Sequence, residues 1–194
     1  MDDDRDLVTL CQRGATDAFE QLVIRHQKKM LNIAYRMTGS YEDACDIVQD
    51  AFVSAYKEIK RFEGRSQFST WLGTIVINLS RNRLKQIQTS RNRREVSINA
   101  EEGAIGIDPP SGEPSALEMI EKRAIQRGVQ ECIGKLDMDF RAVVVLRDIQ
   151  GFAYNEIGDM LKVAEGTVKS RLFRAREMLK NCLKKLWECY EGMQ

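Results

Sequence analysis

The sequence predicts an all-α fold: two small helical domains, a four-helix N-terminal domain and a C-terminal helix-turn-helix domain, joined by a flexible acidic linker. Three observations predict it. Apolar residues recur at a 3.6-residue period along most of the chain, and no stretch sustains the alternation of a strand. Glycines and short polar runs interrupt that pattern where helices should end. All three prolines, Pro109, Pro110 and Pro114, fall in one segment with Gly103, Gly106 and Gly112, which marks a domain boundary.

The first helix spans residues 4–13 and stops at Gly14. The second spans 17–38, with Thr16 as N-cap and Gly39 just past its end. The third spans 41–61, with Ser40 as N-cap and Asp43 three residues on. Its apolar stripe is Ala44, Ile47, Val48, Ala51, Phe52 and Ala55. A polar loop, 63–66, precedes a fourth helix from 67 to about 87 or beyond, whose stripe is Phe68, Leu72, Ile75, Val76 and Leu79. Residues 96–114 form the linker, between a domain at 1–95 and another at 115–194. About 19 residues of such chain reach ~65 Å fully extended and average ~25 Å as a coil. Two bodies joined this way can sit far apart on one target. Helix resumes at a capping box, Ser115 with Glu118, and runs to about 136. Asp137 caps a helix over 138–149 that ends at Gly151. A short helix at 154–161, a tight turn and a long terminal helix from 166 complete the chain.

Composition excludes several classes. With 43% hydrophobic and 30% charged residues in 194, the chain has enough apolar material for a core, so wholesale disorder is excluded. The longest apolar run, 142–146, is far below the ~18 residues that span a bilayer. The acidic start, Met1 to Asp6, is wrong for a secretion signal or a transit peptide, which predicts a cytoplasmic protein. One histidine, His26, removes most zinc enzymes and His-based acid–base pairs, and no cofactor or metal site is expected. Cys11, Cys45, Cys132, Cys182 and Cys189 form no Cys-x-x-Cys pair. They read as small apolar residues in a reducing compartment.

The formal net charge of +1 hides segregation. From Arg81 to Arg94 there are six bases and no acid. From Ser97 to Glu121 there are six acids and no base. From Glu165 to Lys185 seven bases face two acids. Near-neutrality is therefore no argument against nucleic acid.

The short helix, turn and longer helix near the C-terminus form a helix-turn-helix pattern. In the last helix Val168, Leu172, Ala175 and Leu179 make the buried stripe. Thr167, Ser170, Arg171 and Arg174 lie on another face, flanked by Lys169 and Arg176. Such a face suits the major groove, where Arg pairs bidentately with guanine and hydroxyls meet phosphate. A solvated basic helix has the same spacing. In the third helix Asp43, Asp46, Gln49 and Asp50 share one side, as a solvated face or, without any accompanying His, a carboxylate metal site. On the fourth helix Thr74, Asn78, Arg81, Asn82 and Lys85 run along one side, where Asn can read a base edge and Arg and Lys can hold phosphate. Phe62, Phe68 and Trp71 bracket the 63–66 loop. Aromatics there stack an unpaired base or fill the core.

Several of these strings resemble one family. Tyr154-Asn-Glu-Ile-Gly-Asp-Met-Leu161 with Glu165-Gly-Thr-Val-Lys-Ser-Arg-Leu-Phe-Arg-Ala-Arg176 resembles the fourth domain of extracytoplasmic function (ECF) sigma factors, within the sigma-70 family of bacterial RNA polymerase. Asp43-Ala-Cys-Asp-Ile-Val-Gln-Asp-Ala-Phe52 looks like the family's core-binding segment, and Phe68-Ser-Thr-Trp-Leu72 with Asn78 like its promoter-melting segment. Two departures stand out: Lys162 where the turn often has Gly, and Gly158 where Ala is more usual, which weakens that helix by ~1 kcal/mol.

The resemblance implies a sigma factor without chemistry of its own. Its partners would be core RNA polymerase, through the β′ coiled coil and the β flap, promoter DNA, and an anti-sigma factor. Asp43, Asp46, Gln49 and Asp50 would dock on the coiled coil. Phe62, Arg65, Phe68, Trp71, Asn78, Arg81, Asn82 and Lys85 would handle the −10 element, with the 63–69 loop capturing a flipped base. Gly166, Thr167, Lys169, Ser170, Arg171, Arg174 and Arg176 would read the −35 element. The linker would thread toward the polymerase channels. The alternative is an autonomous helix-turn-helix regulator, for which the N-terminal half offers no obvious dimerisation seam.

Overall fold

A computed structural model describes residues 3–93 and 116–191, with side chains over 4–90 and 124–188. The described residues are helical throughout their regular structure, as the apolar period predicts. Four helices precede the linker: α1 (Asp3–Gln12), α2 (Thr16–Thr38), α3 (Tyr41–Glu58) and α4 (Phe68–Arg93). Four follow it: α5 (Ala116–Gly134), α6 (Met138–Val144), α7 (Tyr154–Leu161) and α8 (Glu165–Glu191). The linker at 96–114 and the predicted cap at Ser115 lie outside the described residues.

Most helix ends follow local chemistry. Gly39 closes α2 at φ 78°, its N–H donating to the Tyr35 carbonyl at 2.8 Å. Ser40 caps α3, its Oγ accepting from the Asp43 N–H at 3.2 Å, a contribution of ~1 kcal/mol. Two predicted caps are not made. Thr16 is already the first residue of α2, preceded by Ala15. Asp137 supplies only its backbone carbonyl, which accepts from the Arg141 N–H at 2.9 Å. Two extents also differ. The third helix gives way at Ile59 to a 3-10 turn, Ile59–Arg61. The predicted helix over 138–149 widens after Val144 into a π turn, Val145–Ile149, before Gly151 at φ 77°.

The core stripe of α4 is broader than predicted. Phe68, Leu72 and Val76 are buried, and so are Ile77 and Ser80, the latter donating to the Val76 carbonyl at 2.8 Å. The reason is a second contact surface. α4 packs on α2 and α3 along one side and on α7 along another. The stripe of a lone amphipathic helix cannot reveal that second neighbour.

The two halves share one continuous apolar core. α2 meets α5, α6 and the π turn, and α4 meets α7. Polar ties cross the seam. Thr70 donates to Glu156 at 2.7 Å, Arg36 to Gln130 at 3.0 Å, and Gln150 to Asn32 at 2.9 Å. Arg141 of α6 reaches the Met37 carbonyl and also the Gly134 and Leu136 carbonyls, so one guanidinium satisfies carbonyls at the ends of α2 and α5. Lys29 lies 4.0 Å from the centre of the Phe152 ring, and burial pulls its ammonium pKa down while Glu156 pulls it up. At Gly73, a Cβ would stand 2.8 Å from Met160 Cε, so α4 and α7 approach closely. Chain that can span tens of ångströms thus joins bodies that touch.

One reading of the cysteines is corrected. Cys132 on α5 and Cys182 on α8 are disulfide-bonded, with Cα atoms 5.8 Å apart. Their separation of 50 residues carries no sequence signal, because the pairing is made by helix packing. Cys11 and Cys45 are free, and Cys11 is buried. Among the described residues no helix is long and apolar enough to cross a membrane, and no His, Cys, Asp and Glu cluster could hold a metal ion.

Candidate nucleic-acid interface

The C-terminal helix pair is built as a tight corner. Lys162 takes the left-handed conformation at φ 56°, and the Val163 N–H donates to the Gly158 carbonyl at 3.0 Å. A Cβ on Gly158 would stand 2.9 Å from the Val163 carbonyl oxygen. Gly158 is therefore demanded by the turn rather than being a mere weakness of α7, and it allows the backbone to pass where Ala would collide. Glu156 ties the other end. Its Oε2 accepts from the Ala153 N–H at 2.9 Å, while Oε1 takes the Thr70 hydroxyl.

From this corner α8 projects with Val168, Leu172 and Ala175 buried and Leu179 half-buried. Gly166, Lys169, Ser170, Arg174 and Arg176 are exposed, and Thr167 is half-buried. Their availability differs. Lys169 pairs with Glu165 at 2.6 Å, and Arg176 with Asp148 at 2.6 Å. Those carboxylates raise the pKa of each cation above its ordinary value, so both stay charged. Arg171 is only 26% exposed and pairs with Asp139 at 2.7 Å. Sequence reading missed Phe173, which is 71% exposed between Ser170 and Arg174. A large exposed aromatic on a basic helix face was the available signal.

On α4, Asn78, Asn82 and Lys85 are exposed. Arg81 is half-buried, and its guanidinium bonds Asp139 at 2.8 Å. Phe68 is 3% exposed, so the core reading of that ring is the one observed. Trp71 and Phe62 are half-buried and lie 4.8 Å apart between ring centres. Arg65 is exposed on the loop, paired with Glu63 at 2.5 Å. Thr74 is half-buried, its hydroxyl donating to the Thr70 carbonyl one turn back at 2.9 Å. Beneath the loop lies a cavity of about 320 Å³. Phe62, Gly64, Ser66 and Phe68 form one side of it, and Asp4, Val8, Thr9 and Gln12 of α1 the other. No motif flagged α1, because its contribution comes from packing across some fifty residues of sequence.

The acidic face of α3 divides. Asp46, Gln49 and Asp50 are exposed. Asp43 is 13% exposed and takes the Arg83 guanidinium at 2.6 Å. It joins α3 to α4.

Residues 22–90 match the model of Sigma-70 region 2, and residues 126–179 that of Sigma-70, region 4. The chain is 33% identical over 185 residues to the RNA polymerase sigma-H factor of Pseudomonas aeruginosa, across 94% of this chain and 95% of that one. It is 34% identical over 189 residues to the ECF RNA polymerase sigma-E factor of Haemophilus influenzae, across 94% and 96%. Among solved structures, CnrH in complex with the cytosolic domain of CnrY is similar, with a TM-score of 0.68, 26% identity, and 94% and 98% of the two chains covered. The identity and its reach over both helical halves show that the chain belongs to the sigma-70 family of RNA polymerase sigma factors, in its ECF group.

Proposed function

We propose that this chain is a dissociable promoter-recognition subunit of bacterial RNA polymerase, acting in the cytoplasm and carrying no chemistry of its own. The observation that carries the reading is a pair of outward basic helix faces, one in each half. Asn78, Asn82 and Lys85 project from α4, and Lys169, Ser170 and Arg174 from α8. Each helix buries its opposite side, so the exposed face is fixed in direction. In α8, Arg174 and its neighbours enter the major groove of the −35 element. In α4, Asn78 and Asn82 read the −10 strand, Lys85 and Arg81 hold its phosphates, and Phe62 and Trp71 border the captured base. Asp46, Gln49 and Asp50 suit a basic helical partner through charge-assisted hydrogen bonds, which fits the polymerase β′ coiled coil. The β flap receives the C-terminal half.

The described arrangement is the resting one. Arg81 and Arg171 both engage Asp139 instead of phosphate. Core polymerase draws the halves apart along the acidic linker, and the two elements become readable together. An anti-sigma protein, released in an envelope or stress response, stabilises the closed form. CnrH, bound to the cytosolic domain of CnrY, is similar over 94% of this chain.

The direct test is reconstitution. Purified chain mixed with bacterial core polymerase should initiate from a subset of a promoter library, at starts that core alone does not use. No association with core, and no new starts, would sink this reading.

A further inference from the structure

We propose that Cys132 and Cys182 form a reversible dithiol–disulfide site whose oxidant is an anionic low-molecular-weight disulfide such as oxidised glutathione. No step of the proposed function uses either sulfur.

The pair joins the buried sides of two helices. Val168, Leu172, Ala175, Leu179 and Cys182 recur at helical spacing, so Cys182 continues the core stripe of α8, away from Lys169, Ser170 and Arg174. Leu186 follows one turn on, and a Cβ on Gly128 of α5 would stand 3.2 Å from it. The bond therefore sits within an α5–α8 packing surface. Its Cα separation of 5.8 Å is ordinary for a disulfide, so the two helices need not move for it to close.

Exposure divides the roles. Cys182 is half-buried, whereas Cys132 is 1% exposed. A reagent from solvent therefore meets Cys182 first. Lys180, Lys184 and Lys185 are exposed around it, with Lys184 shared with Glu188 at 3.7 Å. That positive field draws an anionic disulfide. The Cys182 thiolate attacks one sulfur of oxidised glutathione, forming a mixed disulfide and expelling one glutathione thiolate. The Cys132 thiolate then attacks the Cys182 sulfur, forming the protein bond and expelling the second. Two protein sulfurs are oxidised and two glutathione sulfurs reduced, and the two thiol protons pass through water to the expelled thiolates.

The bond decides what holds α5. This helix packs chiefly on α8 and, across the seam, on α2, where Gln130 accepts from Arg36 at 3.0 Å. Once the halves part, α2 is lost to it. The oxidised chain then keeps α5 on α8 covalently, and the reduced chain keeps it by packing alone. Reversibility rests on the cytoplasmic placement proposed above, because thiol pools there are kept reduced and a disulfide is transient.

The test uses the full chain in buffers stepped from reduced to oxidised glutathione, with free thiols alkylated and peptides weighed. A peptide linked through Cys132 and Cys182 should form and be lost reversibly, and the oxidised chain should melt several degrees above the reduced one. Cys132→Ser should stop at one glutathione on Cys182. Cys182→Ser should leave Cys132 a free thiol. Added salt should slow oxidation by glutathione disulfide and not by cationic cystamine. No linked peptide, another pairing, or a bond that excess glutathione leaves intact would overturn the site. Glutathione gathering on Cys132 in Cys182→Ser would overturn the order of attack, equal salt effects the choice of oxidant, and equal melting the tie on α5. The wild-type titration needs no variant. No polymerase or DNA enters it, so its failure is separate from that of the promoter reading.

Discussion

Asp139 of α6 accepts from Arg81 of α4 at 2.8 Å, across the seam between the two halves of the chain. Its second oxygen holds Arg171 of α8 at 2.7 Å. One carboxylate therefore occupies a cation from each proposed nucleic-acid face. Arg81 Nε is buried without a partner, so this engagement leaves the guanidinium incompletely satisfied. Asp139 is half exposed, and an ion pair there is worth ~1 kcal/mol or less. Beside it lies the apolar seam, where a Cβ on Gly73 would stand 2.8 Å from Met160 and 3.7 Å from Phe152.

Neutralising this carboxylate should loosen the resting form. Asp139→Asn is expected to widen the distance between spin labels on the two halves of the free chain. It should also raise DNA affinity a few-fold beyond that of Asp17→Asn, which removes the same charge from an exposed site on α2. Equal affinities and unchanged distances would show that Asp139 holds nothing closed.

The helix-turn-helix corner predicts two stability changes of opposite sign. Gly158→Ala raises intrinsic helix propensity by ~1 kcal/mol, yet its Cβ meets the Val163 carbonyl oxygen at 2.9 Å. The clash should win, with a net loss of ~1–2 kcal/mol. Lys162→Gly relieves a left-handed residue at φ 56° and should add ~1 kcal/mol. Urea unfolding curves measure both. A stabilised Gly158→Ala would mean that the turn relaxes freely.

The proposed recognition face of α8 should divide by exposure. Arg174→Ala should weaken −35 duplex binding by ~1–3 kcal/mol and relax specificity at one position. Phe173→Ser should lose affinity only on sites where a thymine methyl lies beneath it. Replacing thymine by uracil position by position, against both the parent chain and the variant, reads this coupling. A Phe173→Ser loss that no uracil substitution abolishes would remove Phe173 from base contact.

The acidic face of α3 should split in the same way. Asp50→Ala should reduce affinity for core polymerase and leave thermal unfolding unchanged. Asp43→Ala breaks the pair with Arg83 and should cost ~1 kcal/mol of stability. Titration of labelled core, beside melting curves, separates the two. Unchanged core affinity in Asp50→Ala would return that face to solvent.

Much of the fold is legible in the sequence because each helix carries its own period and stops. The stripe of α3, the Ser40 cap, the Gly39 and Gly151 ends and the α7–α8 corner are local features, and local chemistry decides them. What depends on a second element was not legible. Ile77 is buried because α7 covers a second side of α4. Cys132 and Cys182 pair because α5 and α8 pack. Gln12 meets Phe62 only after α1 folds back on the loop. Residue type and face suggested Arg81, Arg171 and Asp43 as outward contacts. Their ion-pair partners, Asp139 and Arg83, lie on other helices, and no spacing along the chain records them.

Promoter recognition by both halves is tested by a map of which DNA each half touches. A photo-crosslinking residue placed at Asn78, or at Arg174, in the chain bound to core polymerase on a promoter would report both contacts. The Asn78 position should crosslink to the unpaired strand of the −10 element and the Arg174 position to −35 duplex. Crosslinks from both positions to one segment, or from neither to the promoter, would contradict it.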